Sequence, residues 1–323
     1  MLVSDLIRFR DNLLDKIAKL NHEQEIMYSC NLLNLSISEN LDIAPFVAHE
    51  KILNFINELQ KGYNQSVDAK KILLTAIDDT NRSIDSMAIE TLSGNKNTPF
   101  QSFFRVGENN QYLKFTINSE IETIIKSCIH RFADWHFPAM QLGCRYSGEE
   151  NTGYTHELVS NDPLYLCDFN NDLINKISSQ FNEIYNNRLR KYVIVNDNVD
   201  QLPHNQFGFI LSWMFFNFAD IAVIKSYLSS LIKLLRPGGT LMFSYNNCDL
   251  VESAILTESG YMTFVPKRKL IEICIELGYD IVQQYDLKNS DHQVKYISWI
   301  EIQKPGVLST IKRAQAMGKI SSK

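Results

Sequence analysis

Apolar positions near the start of the chain recur at three- and four-residue steps. Leu6, Phe9, Leu13, Ile17 and Leu20 fall on one stripe, with charged residues between them. That periodicity predicts an amphipathic helix over residues 1 to about 29. Leu6, Leu13 and Leu20 also stand one heptad apart, so the stripe can close on its own domain or on a second chain. The polar stretch Asn31 to Asn40 breaks the pattern. Two further helices are expected. Phe46 to Tyr63 puts Ile52, Phe55, Ile56 and Leu59 on one face, and Ala69 to Leu92 does the same with Ile72, Leu73, Ile77, Ile84 and Met87. Ser93 to Pro99 gathers Gly, Pro and polar residues and marks a boundary.

Beyond that boundary the period shortens. Two aromatic-rich runs between Phe100 and Ile117 flank Gly107 to Asn110, the pattern of a hairpin. Ser119, with Glu122 at capping-box distance, opens a helix that reaches about Trp135. Short apolar runs then alternate with helical ones. Strands are expected at Ala139 to Leu142, Leu164 to Cys167, Tyr192 to Val195, Phe209 to Trp213 and Thr240 to Tyr245. Between them lie a helix start at Thr155 to Val159 and helices at Asp172 to Leu189 and Ala219 to Leu235. A helix at Pro266 to Leu277, ended by Gly278, leads to two last strands, Tyr279 to Tyr285 and Lys295 to Ile302. Alternation of this kind predicts a parallel sheet with helices on both faces.

Composition narrows the class. The 323 residues are 45% hydrophobic and 21% charged, the balance of a soluble globular protein. A net charge of −5 argues against nucleic-acid binding through overall charge, while a local basic patch stays open. Six cysteines show no CxxC pair and no zinc spacing, which fits reduced thiols in a cytoplasmic compartment. Asp5, Arg8, Arg10 and Asp11 interrupt the first apolar pattern, unlike a signal peptide. No apolar run approaches the roughly 20 residues of a membrane helix. From Pro305 the chain turns basic, with Lys312, Arg313, Lys319 and Lys323.

The candidate chemistry sits between Pro138 and Asp168. Gln141-Leu-Gly143-Cys144 closes the first strand, Thr152-Gly153-Tyr154-Thr155 opens a helix, and Asp168 follows the second strand. Glycines let a backbone approach a ligand, and a carboxylate there can accept from ribose hydroxyls. Leu234-Leu-Arg-Pro-Gly-Gly239 precedes the fifth strand. In this order the segments resemble class I S-adenosylmethionine (SAM) dependent methyltransferases over roughly residues 120 to 305.

The resemblance implies a Rossmann-like, doubly wound α/β fold with a seven-stranded sheet of order 3-2-1-4-5-7-6, behind an N-terminal α-helical region. The expected domains are 1–98, 99–305 and a basic tail, 306–323. SAM is the implied cofactor. Gln141, Gly143, Cys144, Arg145, Gly153, Asp168, Phe169, Asp197, Asn198 and Ser212 are its implied contacts. Arg145 to Asn151 stands as an insertion in the family's first motif, and Gln141 replaces its usual carboxylate. Arg145 can pair with the cofactor's own carboxylate. Where base-methylating members carry Asn/Asp-Pro-Pro-Tyr/Phe, this chain has Ser212-Trp-Met-Phe-Phe-Asn217, which lowers the expectation of base methylation. Asn217, Tyr245 and His204 are the polar candidates for catalysis, and the methyl acceptor is not specified. The competing expectation is an inactive, methyltransferase-fold assembly component, a virion protein if the divergent first motif reflects a phage source. Its interface would be the N-terminal helices, giving a homo-oligomer.

Overall fold

The computed structural model describes residues 2–39, 46–94, 117–144, 154–195, 198–289 and 294–308. The expected hairpin before Ile117, the first-motif segment around Arg145 and Gly153, Asp197 and the basic tail beyond residue 308 lie outside them. The chain divides into two compact units, Met1–Gly94 and Asn95–Lys323.

The first unit is a helical hairpin of α1 (Val3–Glu39) and α2 (Phe46–Gly94). Leu13 and Ile17 pack against Ile77, Leu73 and Ala76. Gln24 Nε2 donates to Ser66 Oγ at 2.9 Å, and Lys70 Nζ donates to Asn21 Oδ1 at 2.6 Å. Numbers rising on α1 meet numbers falling on α2, so the helices are antiparallel. Two expectations need correction here. The helices expected at Phe46 to Tyr63 and Ala69 to Leu92 are one continuous helix, because the polar residues between them include no Gly or Pro to end it. The polar stretch after Asn31 likewise stays helical to Glu39, since polarity without Gly or Pro does not end a helix. Nor does the expected stripe bury evenly: Phe9 remains 51% and Ile72 70% exposed.

The second unit is built on one seven-stranded sheet in the order β3-β2-β1-β4-β5-β7-β6. Its strands are β1 (Ala139–Leu142), β2 (Leu164–Asp168), β3 (Arg190–Val193), β4 (Phe207–Ser212), β5 (Leu235–Tyr245), β6 (Asp280–Lys288) and β7 (Tyr296–Gln303). The pairs among β1 to β5 are parallel, and β7 runs antiparallel to both of its neighbours. The strand order and the antiparallel seventh strand match the expectation. Alternate residues of the strands face opposite ways. Met140, Leu142, Phe243 and Ile300 share one apolar cluster with α6 (Ile221–Leu234) and α8 (Lys267–Glu276). Ala139, Met242 and Trp299 share another with α3 (Ser119–His130) and α4 (Asn171–Ser178). Both faces are therefore covered, which is why the strands read as near-continuous apolar runs.

Local capping shifts several boundaries. Asn118, not Ser119, caps α3, its Oδ1 accepting from Ile121 N at 2.8 Å. The helix expected over Asp172 to Leu189 is split into α4 and α5 (Glu183–Asn186), because Asn182 starts the second piece by accepting from Tyr185 N at 2.9 Å. α7 (Val251–Glu258) was not expected, since its polar and apolar residues give no clear stripe. β5 begins at Leu235 and carries Pro-Gly-Gly within it. A Cβ at Gly239 would lie 2.7 Å from the Phe207 carbonyl oxygen, so only glycine lets the two strands come this close. No described helix is long and apolar enough to cross a membrane.

Candidate cofactor and acceptor site

Parallel strands of this sheet end at one edge, and the candidate residues there belong to two neighbouring groups. On the β1–β2 side, Gly143 takes a left-handed φ of 85°, and its N–H donates to the Cys167 carbonyl at 2.8 Å. The chain then turns so that Cys144 N–H donates to Asp168 Oδ2 at 2.6 Å. Asn170 N–H donates to Asp168 Oδ1 at 2.8 Å. Asp168 is fully buried and joins the two turns through its two oxygens. A Cβ at Gly143 would lie 2.9 Å from Phe215 Cβ, and Phe215 stacks on Phe169 at 5.7 Å between ring centroids. Burial pushes the Cys144 and Cys167 thiols well up, with Asp168 adding to the shift, so neither is a nucleophile near neutral pH.

Gln141 is a buried strut. Its Oε1 accepts from Thr155 Oγ1, and its Nε2 donates to the Gly143 carbonyl at 3.3 Å. Tyr154 takes a left-handed φ of 65°, and a 3-10 turn, Thr155–Leu158, follows. Asn198, at the β3 end of the edge, uses its Oδ1 to accept from Asp200 N at 2.7 Å. The amide that the resemblance aims at an adenine amine thus closes its own turn.

On the β4–β5 side, Ser212 is the last residue of β4 and is fully buried. Met214 has a left-handed φ of 57°, and its N–H donates to Ser244 Oγ at 2.7 Å. Ser244 Oγ in turn donates to Asn217 Oδ1 at 2.8 Å. The Asn217 carbonyl accepts from Thr263 N at 3.0 Å, so Asn217 holds the turn after β4. Tyr245 is buried, and its phenol is pushed well above its ordinary range by burial, with Asp286 and Asp249 adding to the effect. It is a proton donor, not a base, at neutral pH. His204 is not brought to this edge. It is exposed and precedes β4 at the opposite edge, where Asn205 and Gln206 N–H groups bond to the Lys233 and Leu234 carbonyls. Its short separation from β4 in sequence hides the fact that the strand carries the chemistry away from it.

Two groups at the same edge go beyond the sequence reading, which weighs Trp213 with Phe215 and Phe216 as a substrate or adenine wall but not with Trp299 or Tyr285. Asp286 Oδ2 accepts from Lys267 Nζ at 2.6 Å, while its Oδ1 accepts from Ser298 Oγ and Asn247 Nδ2 at 2.7 and 2.9 Å. Burial works against the charge, but these three hydrogen bonds outweigh it and hold the carboxyl below its usual range. The second group is aromatic: Tyr154, Trp213, Trp299 and Tyr285 form a run of contacting rings. Strand register brings both groups together, and no local motif signals them.

This strand order, with β7 antiparallel beside β5, is the fold of class I methyltransferases. No family model and no curated protein matches the chain. Among solved structures it is similar to the N-methyltransferase NodS of Bradyrhizobium japonicum in complex with S-adenosyl-L-homocysteine (SAH), at 14% identity and a TM-score of 0.45. That likeness covers 64% of this chain and 98% of NodS. A SAM-dependent methyltransferase from Mesorhizobium loti is similar at 12% identity and a TM-score of 0.44, covering 57% of this chain and 97% of that one. With TM-scores this low, neither likeness supports an assignment by itself. The fold stands on the strand order.

Proposed function

We infer that the chain binds SAM at the carboxyl edge of β1, β2 and β4 and passes its methyl group to an acceptor entering beside β4 and β5. The observation that carries this is Asp168, a buried carboxylate at the end of β2 tied to the glycine turn after β1. The groups described at this edge fit a nucleoside. A carboxylate at the end of the second strand of this sheet is placed to accept from ribose hydroxyls. Ser212 Oγ, buried at the end of β4 without a hydrogen-bond partner, is a second polar contact waiting for a ligand. Phe169, half-buried after Asp168, offers a ring face to the base.

SAM, when bound, supplies a methyl on a sulfonium that leaves as a neutral thioether, so alignment matters more than a strong base. The residues of this chain serve alignment. Asn217 and Ser244 fix the Met214 turn, and the protonated Tyr245 can donate but not abstract. Titration calorimetry with SAM and SAH tests the inference. Wild type should bind both, and Asp168→Ala should lose most of the affinity, since hydrogen bonds to a charged acceptor contribute about 1.5–3 kcal/mol each. A wild-type protein that binds neither at millimolar concentration overturns it.

A further inference from the structure

Resting on that function, we propose that the acceptor is a flat, neutral molecule whose carbonyl or amide oxygen is recognised by the indole N–H groups of Trp213 and Trp299. Six buried side-chain nitrogen or oxygen atoms among the described residues lack a hydrogen-bond partner. Three of these belong to Ser212, Trp213 and Trp299, at the carboxyl edge of the central strands. Trp213 directly follows β4, whose Ser212 pairs with Phe243 of β5. Trp299 of β7 pairs with Ser244, the next residue of β5. The two indoles therefore stand on either side of one strand, and both belong to the same apolar cluster. Their centroids are 5.9 Å apart at 61°, and their exposures are 1% and 0%.

Buried Trp N–H groups normally find a partner, and an unsatisfied buried donor is costly. The contrast with the surroundings is what gives the pair meaning. Met214 N–H, Ser244 and Asn217 are bonded to one another a residue or two away. The phenol of Tyr285, stacked on Trp299 at 4.3 Å, accepts from Arg131 at 3.2 Å and from the Cys128 thiol at 3.4 Å. Local folding thus satisfies the Met214 turn and the Tyr285 phenol, and leaves both indole donors over, together with Ser212 Oγ and, two residues along β7, Glu301 Oε2. Tyr154, edge-on to Trp213 at 5.4 Å, with Met214 and Met262 in the same cluster, makes the surroundings aromatic and soft. Such walls suit a planar body. Indole is a neutral donor, so the matching group is a neutral oxygen and not a carboxylate or phosphate, which draws Arg or Lys.

The test uses the full chain labelled with 15N at tryptophan. Three indole signals are present, and Trp135, 61% exposed, is the internal control. Benzamide is the probe, and toluene is the shape control without an acceptor oxygen. Both are titrated with SAH present and again without it. Benzamide should move the Trp213 and Trp299 indole signals and leave Trp135 in place, while toluene should not shift the indole protons in the same way. Trp299→Phe should weaken benzamide roughly tenfold without changing SAH affinity. Trp213→Phe replaces it if that variant does not fold. Buried indole signals unmoved by benzamide overturn the proposal, as do equal effects of the two probes, which would mean apolar filling or donors satisfied by water. Failure of SAH alone to bind overturns the methyl-transfer function instead, and the benzamide result without SAH is then read separately.

Discussion

The two halves of the carboxyl edge meet their polar groups in opposite ways. On the β1–β2 side one buried carboxylate, Asp168, gathers backbone N–H groups from two different turns. On the β4–β5 side the turn is closed by neutral side chains, Ser244 and Asn217, in series with the Met214 N–H. The first half is held by charge-assisted bonds and by a glycine that admits a ring at close range. The second is held by ordinary bonds around a residue in left-handed backbone, and leaves polar atoms of Ser212, Trp213 and Trp299 over. The difference separates a cofactor side, shaped by backbone, from an acceptor side, shaped by side chains. Backbone shape is shared by many sequences. Side-chain shape is particular to this one.

Gly143→Ala is the harshest test of the first half. The new Cβ meets Phe215 at 2.9 Å and asks a non-glycine residue to hold φ near 85°. Strain and overpacking each cost about 1–3 kcal/mol, so a loss of about 2–4 kcal/mol is expected in urea unfolding. Adding Phe215→Leu should return the packing part but not the backbone part. Full recovery in the double variant would show that the glycine serves only the ring. No loss in the single variant would remove the close approach altogether.

The second half should break more gently. Ser244→Ala leaves the buried Met214 N–H without its acceptor and Asn217 Oδ1 without its donor. A loss of about 1–3 kcal/mol is expected, again from urea midpoints. If the two halves are independent in the ligand-free protein, Gly143→Ala and Ser244→Ala should add to within about 0.5 kcal/mol. A larger coupling would mean that Phe215, three residues before the end of the Phe216–Phe218 turn, transmits strain between them.

Much of the sheet was legible because its strands are short apolar runs bounded by turn residues. Ala139–Leu142 was read with its observed ends, and Leu-Arg-Pro-Gly-Gly before a strand reflects a close strand contact that only glycine permits. The position of Asp168 was legible as well, since an acid closing the second strand follows from strand order, although the strand was expected to end at Cys167. What escaped depends on register. Trp299 is 86 residues from Trp213 in sequence and meets it only because β5 and β7 pair at Ser244. His204 failed for the converse reason: six residues of extended β4 separate the start of that strand from the working edge. Gln141 reads as a substituted carboxylate, yet its partner Thr155 lies beyond the insertion and could not be foreseen from spacing.

The smallest expected effect concerns pH and belongs to the outer flank of the acceptor side. Asp286 is held below the usual carboxylate range by Lys267, Ser298 and Asn247, against the opposing pull of burial. A carboxyl with a depressed folded-state pKa stabilises the fold above its unfolded value of about 3.9, and that contribution is lost as pH falls through the folded value. Asp286→Asn removes this dependence. Wild type should therefore exceed the variant in urea midpoint at pH 7 by an amount on the order of 1 kcal/mol, and the gap should narrow progressively as the pH falls below about 3.9. Neither side chain is more than 27% exposed, so solvent screening is modest, and 0.5 M salt should narrow the gap without abolishing it. A gap that is the same at pH 3 and pH 7 would assign the role of Asp286 to its hydrogen bonds with Ser298 and Asn247, which an amide oxygen can also accept. In that case the β5–β7 flank is held by the same neutral chemistry as the Met214 turn, and Asp168 stands apart as the site's one carboxylate whose charge is spent on backbone N–H groups.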